Sequence, residues 1–186
     1  DEALPARYTS NFLDLRRINK EALFKEFDFN NSLDIPLIAL ISRFDPQKGV
    51  DIAIEALRQL SDLPWIAILL GTGFSRLEDD ARKLAAEFPN QIHAAIKFDV
   101  KLSRRIYGGA DMLMMPSRYE PCGLAQMIAM RYGCIPVARA TGGLKDSIIS
   151  YSNDPKNSTG FLFNAPLGSD LAGSLTQALS VYEDKT

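Results

Sequence analysis

Ile35-Pro36-Leu37-Ile38-Ala39-Leu40-Ile41 runs directly into Ser42-Arg43-Phe44-Asp45-Pro46-Gln47-Lys48-Gly49, and this stretch decides the fold. Its first part is rich in branched side chains and nearly continuous in hydrophobicity, which is what a strand buried on both faces requires. It reads as a central strand. Past the loop, Val50, Ala53, Ile54, Leu57 and Leu60 fall at i, i+3, i+4, i+7 and i+10, a helical stripe that ends before Pro64. Trp65 to Leu70 is the next short apolar run and the next strand. Strand, helix and strand in this order form a βαβ unit, whose crossover helix makes the two strands parallel.

The same alternation continues toward the C-terminus. Gly71-Thr72-Gly73 turns the chain, and Leu77, Ala81, Leu84, Ala85 and Phe88 mark a helix face before Pro89-Asn90. Gln91 to Phe98 reads as a strand, Leu102 to Tyr107 as a short helix, and Met112 to Met115 as a strand that stops at Pro116. Gly123 is expected to open a helix with Leu124, Met127, Ile128 and Tyr132 inward. Ile135 to Ala138 and Thr159 to Phe163 read as strands, and Leu171, Leu175, Ala178, Leu179 and Tyr182 line a last helix. Residues 11–27 read as a helix leading in, and the polar stretch Ser150 to Ser158 as a surface loop. The expectation is an α/β domain, a parallel sheet with helices on both faces, over residues 31–186, preceded by a lead-in segment over 1–30.

Composition narrows the function. The chain has 186 residues, the size of one domain, with 46% hydrophobic and 24% charged residues, so disorder is excluded as its main character. A net charge of −2 with interspersed signs gives no footprint for nucleic acid or an anionic membrane. Two cysteines, Cys122 and Cys134, build no disulfide scaffold, and the single histidine, His93, cannot anchor a two-His zinc site. No metal and no other cofactor is expected. The apolar runs are far shorter than the roughly 20 residues of a membrane span, and the acidic, polar start does not read as a signal peptide. A cytoplasmic location is the expectation.

In open parallel sheets, ligands sit outside the carboxyl ends of the strands. Arg43 and Lys48 lie there. A planar guanidinium and a mobile ammonium together suit a diphosphate, although two solvated cations in a turn fit the residues as well. In Pro116-Ser117-Arg118-Tyr119-Glu120-Pro121-Cys122-Gly123-Leu124, Glu120 suits sugar hydroxyls and would repel a phosphate placed directly against it; its other reading is an acid that assists a helix N-terminus. Gly123 and the pair Gly142-Gly143 after Thr141 allow close backbone approach, though a Gly-Gly pair also fits a plain turn. Gly71-Thr72-Gly73 lacks the third glycine of a dinucleotide fingerprint, and no Gly-x-Ser-x-Gly elbow or P-loop is present. His93 sits in an alternating strand and reads as structural. Cys122 has no evident base partner and reads as a pocket wall.

Taken in order, Ser42-Arg43-x4-Lys48-Gly49, Gly108-Gly109-Ala110-Asp111, Pro116 to Leu124 and Thr141-Gly142-Gly143-Leu144-x-Asp146 resemble the C-terminal domain of bacterial glycogen synthases and plant starch synthases, nucleotide-sugar glucosyltransferases of glycosyltransferase family 5. The resemblance covers about residues 35–165, and Leu4-Pro5-Ala6-Arg7-Tyr8 with Asn19-Lys20 is similar to that family's interdomain segment. It implies a Rossmann-like domain, the C-terminal half of a GT-B fold. It also implies a retaining, metal-free transfer of glucose from ADP-glucose or UDP-glucose to the non-reducing end of an α-1,4-glucan. By this resemblance Arg43 and Lys48 bind the donor diphosphate, Glu120 hydrogen-bonds the glucose, and Cys122, Gly123 and Leu124 line the sugar and phosphate pocket. Tyr119, Thr141 and Gly142 are further wall residues, and Phe98 stacks on the base.

The resemblance also marks departures. Many retaining relatives carry a second glutamate eight residues after the first; this chain has Ile128 there, which is similar to the glycogen synthase branch but weakens any two-carboxylate scheme. The family's acceptor domain, with its lysine–glycine–glycine motif and the histidine and aspartate that complete the site, has no counterpart here, and neither does its final crossing helix after Thr186. The isolated chain is therefore expected to be inactive, and to meet the glucan acceptor only through that other domain. Competing readings are another GT-B sugar-nucleotide transferase domain and a non-catalytic nucleotide-binding module; a plant source would place the protein in the plastid.

Overall fold

The structure is a computed structural model that describes residues 1–184. Among these, six parallel strands form one sheet: β1 (Leu37–Ile41), β2 (Ile66–Gly71), β3 (Ile92–Ile96), β4 (Met112–Met115), β5 (Ile135–Arg139) and β6 (Phe161–Phe163). The order across the sheet is β3-β2-β1-β4-β5-β6, so β1 sits in the middle, in register with β2 from Leu37↔Ile66 to Ile41↔Leu70. The order reverses between β1 and β4. That switch leaves a crevice at the carboxyl ends of these two strands.

The continuous hydrophobicity of β1 has the expected cause. Ile38 and Leu40 pack into one core with α2 (Val50–Gln59), α3 (Ser75–Glu87) and α7 (Gly168–Glu183). Leu37 and Ala39 pack into the other, with α1 (Arg16–Glu26), α4 (Val100–Gly109), α5 (Ala125–Arg131) and α6 (Gly142–Ser147). Each fully buried Leu or Ile contributes about 1.5–3 kcal/mol, so the two-sided strands hold the layers together. Trp65 is buried at the start of β2 and donates its indole N–H to Leu60 O at 2.7 Å.

At the amino ends of the strands, Lys20 of α1 is buried and donates to Asp111 Oδ2 at 2.7 Å, Ile35 O at 2.6 Å and Tyr182 OH at 3.2 Å. The same Asp111 oxygen accepts Leu37 N at 2.8 Å. One ion pair thus ties α1, β1, α7 and the entry to β4, while burial pulls the Lys20 ammonium pKa down. The segment before α1 packs on this body: Leu4 is buried against Gly108, and the Tyr8 hydroxyl donates to Tyr132 O at 2.8 Å.

Several boundaries differ from the sequence reading. The lead-in helix starts at Arg16, after a 3-10 turn at Leu13–Leu15, and the strand expected over Gln91 to Phe98 is Ile92–Ile96. Thr159 and Gly160 lie outside β6. The largest correction is α5, which begins at Ala125 and turns Leu124, Met127 and Ile128 outward, at 75, 52 and 40% exposure. Its buried residues are Gln126 and Ala129, because a seven-residue helix over the sheet edge covers the core with one narrow face. Tyr132 is half-buried and stacks on Tyr107. Thr141-Gly142-Gly143 is the entry to a short helix, α6, and not a plain turn. His93 is half-buried against Phe27, ring centroids 4.4 Å apart, and burial lowers its pKa, in keeping with a structural role.

Candidate functional site

The loops after β1 and β4 are built as a pair. After β1, Asp45 accepts Lys48 N at 3.0 Å and caps a 3-10 turn, Pro46–Lys48, which ends at Gly49 with φ of 67°. A Cβ at Gly49 would lie 2.1 Å from Pro116 O, so only glycine lets the two loops touch here. Hydrogen bonds then lace them together. Arg118 N donates to Gln47 O at 2.8 Å and Gln47 Nε2 to Tyr119 O at 3.0 Å. The Arg118 guanidinium forks onto Asp51 at 2.8 and 2.7 Å, which holds the Asp51 carboxyl below its usual range.

This lacing brings the predicted cation and acid together. Lys48 Nζ lies 2.5 Å from Glu120 Oε2, and the same oxygen accepts the Ser117 hydroxyl at 3.1 Å. Lys48 and Glu120 expose 22 and 10% of their side chains, so both border solvent without being dissolved in it. With Ser42, Met115 and Ala125 they line a cavity of about 110 Å³. Arg43 is 72% exposed and pairs with Asp45 at 3.0 Å. It faces a neighbouring cavity of about 230 Å³, lined by Leu70, Gly71, Thr72, Phe98 and Val100. Phe98 is 84% exposed at this rim. Ser42 borders both cavities, and its hydroxyl is buried without a partner.

Behind the acid, α6 presses on the β4 loop. Gly143 N donates to Glu120 O at 3.0 Å, and a Cβ at Gly142 or Gly143 would lie 2.1 Å from Glu120 O or 1.8 Å from Cys122 O. Close approach is thus confirmed for the Gly-Gly pair. Thr141 precedes this contact, partly exposed, while Tyr119, Cys122 and Leu124 are exposed on the loop itself. Gly123 has φ of 69°, and the buried Gln126 amide donates to Gly123 O at 3.0 Å and Ser147 Oγ at 3.0 Å.

Three supporting residues escaped the sequence reading: Ser117, Gln126 and Arg139. The Arg139 guanidinium, at the end of β5, donates to Arg118 O at 2.6 Å, Ser117 O at 3.2 Å and Asn164 O at 3.1 Å. Ser117 stood inside the quoted motif, but contacts across chain separations of tens of residues leave no local pattern. A larger cavity, about 570 Å³, lies at the opposite, amino ends of β4 to β6, lined mainly by Tyr151, Phe161, Val181 and Tyr182. Size favours it, but the Lys48–Glu120 pair that borders solvent lies at the carboxyl ends. Among the described residues no three His, Cys, Asp or Glu side chains group to hold a metal, and no helix is long and apolar enough to cross a membrane.

Comparison with known proteins gives the family of the chain. A glycogen synthase of Kosmotoga olearia is 41% identical over 186 residues, covering all of this chain and 39% of that protein. A glycogen synthase of Thermotoga maritima is 40% identical over 182 residues, covering 98% of this chain and 37% of that protein. The chain thus spans about two fifths of the length of the curated relatives it matches. Among solved structures, the catalytic domain of starch synthase IV from Arabidopsis thaliana, bound to ADP and acarbose, superposes with a TM-score of 0.91 at 34% identity. That match covers 98% of this chain and 38% of the other, so the six-stranded sheet shares the GT-B, Rossmann-like fold of a starch synthase. Residues 22–185 match the family described as glycosyl transferases group 1, and the chain belongs to that family.

Proposed function

We propose that this chain is the donor-binding part of a retaining glucosyltransferase of the glycogen or starch synthase kind. In this reading the diphosphate of ADP-glucose or UDP-glucose lies on Arg43 and Lys48, and Glu120 accepts hydrogen bonds from the glucose. The observation that carries it is the convergence of Lys48 and Glu120, 2.5 Å apart, at the switch between β1 and β4, with Arg43 on the same loop. An acid beside a cation suits a ligand that is polyol at one end and anionic at the other. The names of the relatives and the ADP held by the Arabidopsis starch synthase support the choice of ligand.

The base would occupy the cavity between Arg43, Thr72 and Phe98, stacking on the exposed Phe98 ring. Tyr119, Cys122, Gly123, Leu124, Thr141 and Gly142 would form the wall around sugar and phosphate. As the glycosidic bond to the diphosphate breaks, negative charge grows on the departing oxygen. The two cations would stabilise that charge, and removal of one such contact typically costs about 10²–10³ in rate. No metal is invoked in this scheme. The acceptor, the non-reducing end of an α-1,4-glucan, would be held by a further domain, so the isolated chain would bind donor and not elongate glucan. Its donor pool would be that of the cytoplasm, or of the plastid in a plant.

Calorimetry with ADP, UDP and their glucose conjugates tests the reading. Binding of at least one diphosphate, weakened about tenfold or more by Arg43→Ala or Lys48→Ala, is expected. Absence of binding at millimolar ligand, or indifference to both substitutions, would refute it. Glucan elongation by the isolated chain would overturn the need for another domain.

A further inference from the structure

Both candidate phosphate cations already carry a carboxylate of the chain itself. Arg43 pairs with Asp45 at 3.0 Å, and Lys48 with Glu120 at 2.5 Å. The two pairs differ in weight. With 72% of the Arg43 side chain exposed, its pair is screened by water and contributes little. Asp45 is moreover held as the cap on Lys48 N, so it stays in place whatever Arg43 does. Lys48 and Glu120 are 22 and 10% exposed, and the Ser117 hydroxyl fixes the oxygen that Lys48 holds. A phosphate that draws the Lys48 ammonium toward itself does so against the pull of Glu120.

We infer that Glu120 is an internal competitor of the nucleotide's diphosphate for Lys48. This rests on the donor-site reading above and adds an energetic role to the acid that reading places on the sugar. Glu120 holds the ammonium that a phosphate would otherwise draw. A nucleoside diphosphate therefore binds with its affinity reduced by the fraction of time Lys48 is paired. A donor with glucose attached offers Glu120 hydroxyl donors in exchange for the lost ammonium, so the sugar offsets a penalty that the bare diphosphate bears in full. Once glucose has been transferred, Glu120 regains Lys48 and the spent nucleotide is released more readily. The long flexible stem of lysine permits the exchange without backbone movement.

Two variants measured by calorimetry with ADP and UDP decide the matter. Glu120→Gln keeps the side-chain shape and the hydrogen bond with Ser117 while removing the charge. It should bind the bare diphosphate about five- to tenfold more tightly than the parent, the factor for an ammonium paired some 80–90% of the time. The preference for the glucose conjugate over the bare diphosphate should shrink correspondingly. In a Lys48→Gln background the Glu120→Gln gain should vanish, since no ammonium remains to be released. A gain that persists there would show simple repulsion between Glu120 and phosphate and would overturn competition. Equal or weaker binding by Glu120→Gln, with an unchanged melting temperature, would also overturn it while leaving the donor site standing. Absence of binding by the parent chain would remove the donor site and this role together. If Glu120→Gln fails to fold, Ser117→Ala is the substitute: loosening Oε2 should tighten bare diphosphate about twofold, and no tightening would count against the role.

Discussion

Gly49→Ala tests the junction on which the candidate site is built. Gly49 has φ of 67°, and a Cβ there would sit 2.1 Å from Pro116 O and 2.9 Å from Pro116 C. Ordinary contact begins near 3.4 Å, so the β1 and β4 loops must part by about 1 Å. The left-handed backbone alone costs an alanine about 1–2 kcal/mol, offset by roughly 0.5–1 kcal/mol from the stiffer unfolded chain. Forcing two backbones apart adds about 1–3 kcal/mol, as overpacking does elsewhere. The sum is about 3 kcal/mol, or about 6–12 °C in melting temperature for a domain of this size. Gly133→Ala is the control. Gly133 has φ of 70°, but its Cβ would meet only the Arg16 side chain, at 3.5 Å, so it bears the backbone cost alone, about 1 kcal/mol. Because the Lys48–Glu120 pair spans the same junction at 2.5 Å, Gly49→Ala should also change ADP or UDP affinity, and Gly133→Ala should not. Thermal denaturation and calorimetry on both variants provide the check. If Gly49→Ala melts with Gly133→Ala and binds nucleotide as the parent does, the two loops are not held by this contact and the reasoning fails.

Phe98→Ala should leave the melting temperature unchanged, since the ring is 84% exposed, while weakening ADP about tenfold and pyrophosphate not at all; equal losses for both ligands would remove Phe98 from the base pocket. Lys20→Ala strands the Asp111 carboxylate beside Leu37 N and should cost about 3–5 kcal/mol in urea denaturation, whereas a loss under 1 kcal/mol would show that the pair does not clamp α1 to the sheet. Burial pushes the Cys134 thiol from 9.0 up to about 12 and the Tyr107 hydroxyl from 10.0 up to about 12. Both folded values lie above the unfolded ones, so their contribution is complete below pH 9 and is lost as pH rises toward 12, when the unfolded chain sheds protons that the folded chain keeps. Cys134 alone accounts for about 1 kcal/mol of loss at pH 10, and Cys134→Ala should flatten the stability profile between pH 9 and 10; an unchanged slope there would assign the loss to other groups.

How much of this was legible depended on whether the signal was local. The two-sided strands were, because burial of both Leu37 and Ile38 requires an unbroken apolar run, and its shortness and branched side chains favour a strand over a buried helix. The inward face of α5 was not. Periodicity marks Leu124, Met127 and Ile128 as one face of a helix, yet nothing in the spacing says which way that face points, and here Gln126 and Ala129 meet the core. Phe98 was assigned to a strand for the same reason: an aromatic next to an apolar run looks like its continuation, although it projects into solvent.

The site shows the same division at finer grain. The motif run drew attention to Arg43, Lys48 and Glu120, each at a strand end, and two of the three do meet. What makes them one unit lies in contacts that no local spacing encodes. Lys48 and Glu120 stand 72 positions apart, and Arg139 reaches back 21 positions to hold Arg118 O from the neighbouring strand. Such contacts depend on the strand order, which places β4 beside β1 and β5 beside β4. A reading of residue types therefore finds the charged groups, whereas the folded chain alone reveals that the cation and the acid hold each other. That mutual hold changes the chemistry expected of them. Two independent charges would each bind their part of a ligand, and their losses on substitution would add. In a shared pair each charge holds the other back from a ligand, so substitutions at Lys48 and Glu120 should be strongly non-additive toward a bare diphosphate, while Arg43, whose pair is solvated, should add independently to either.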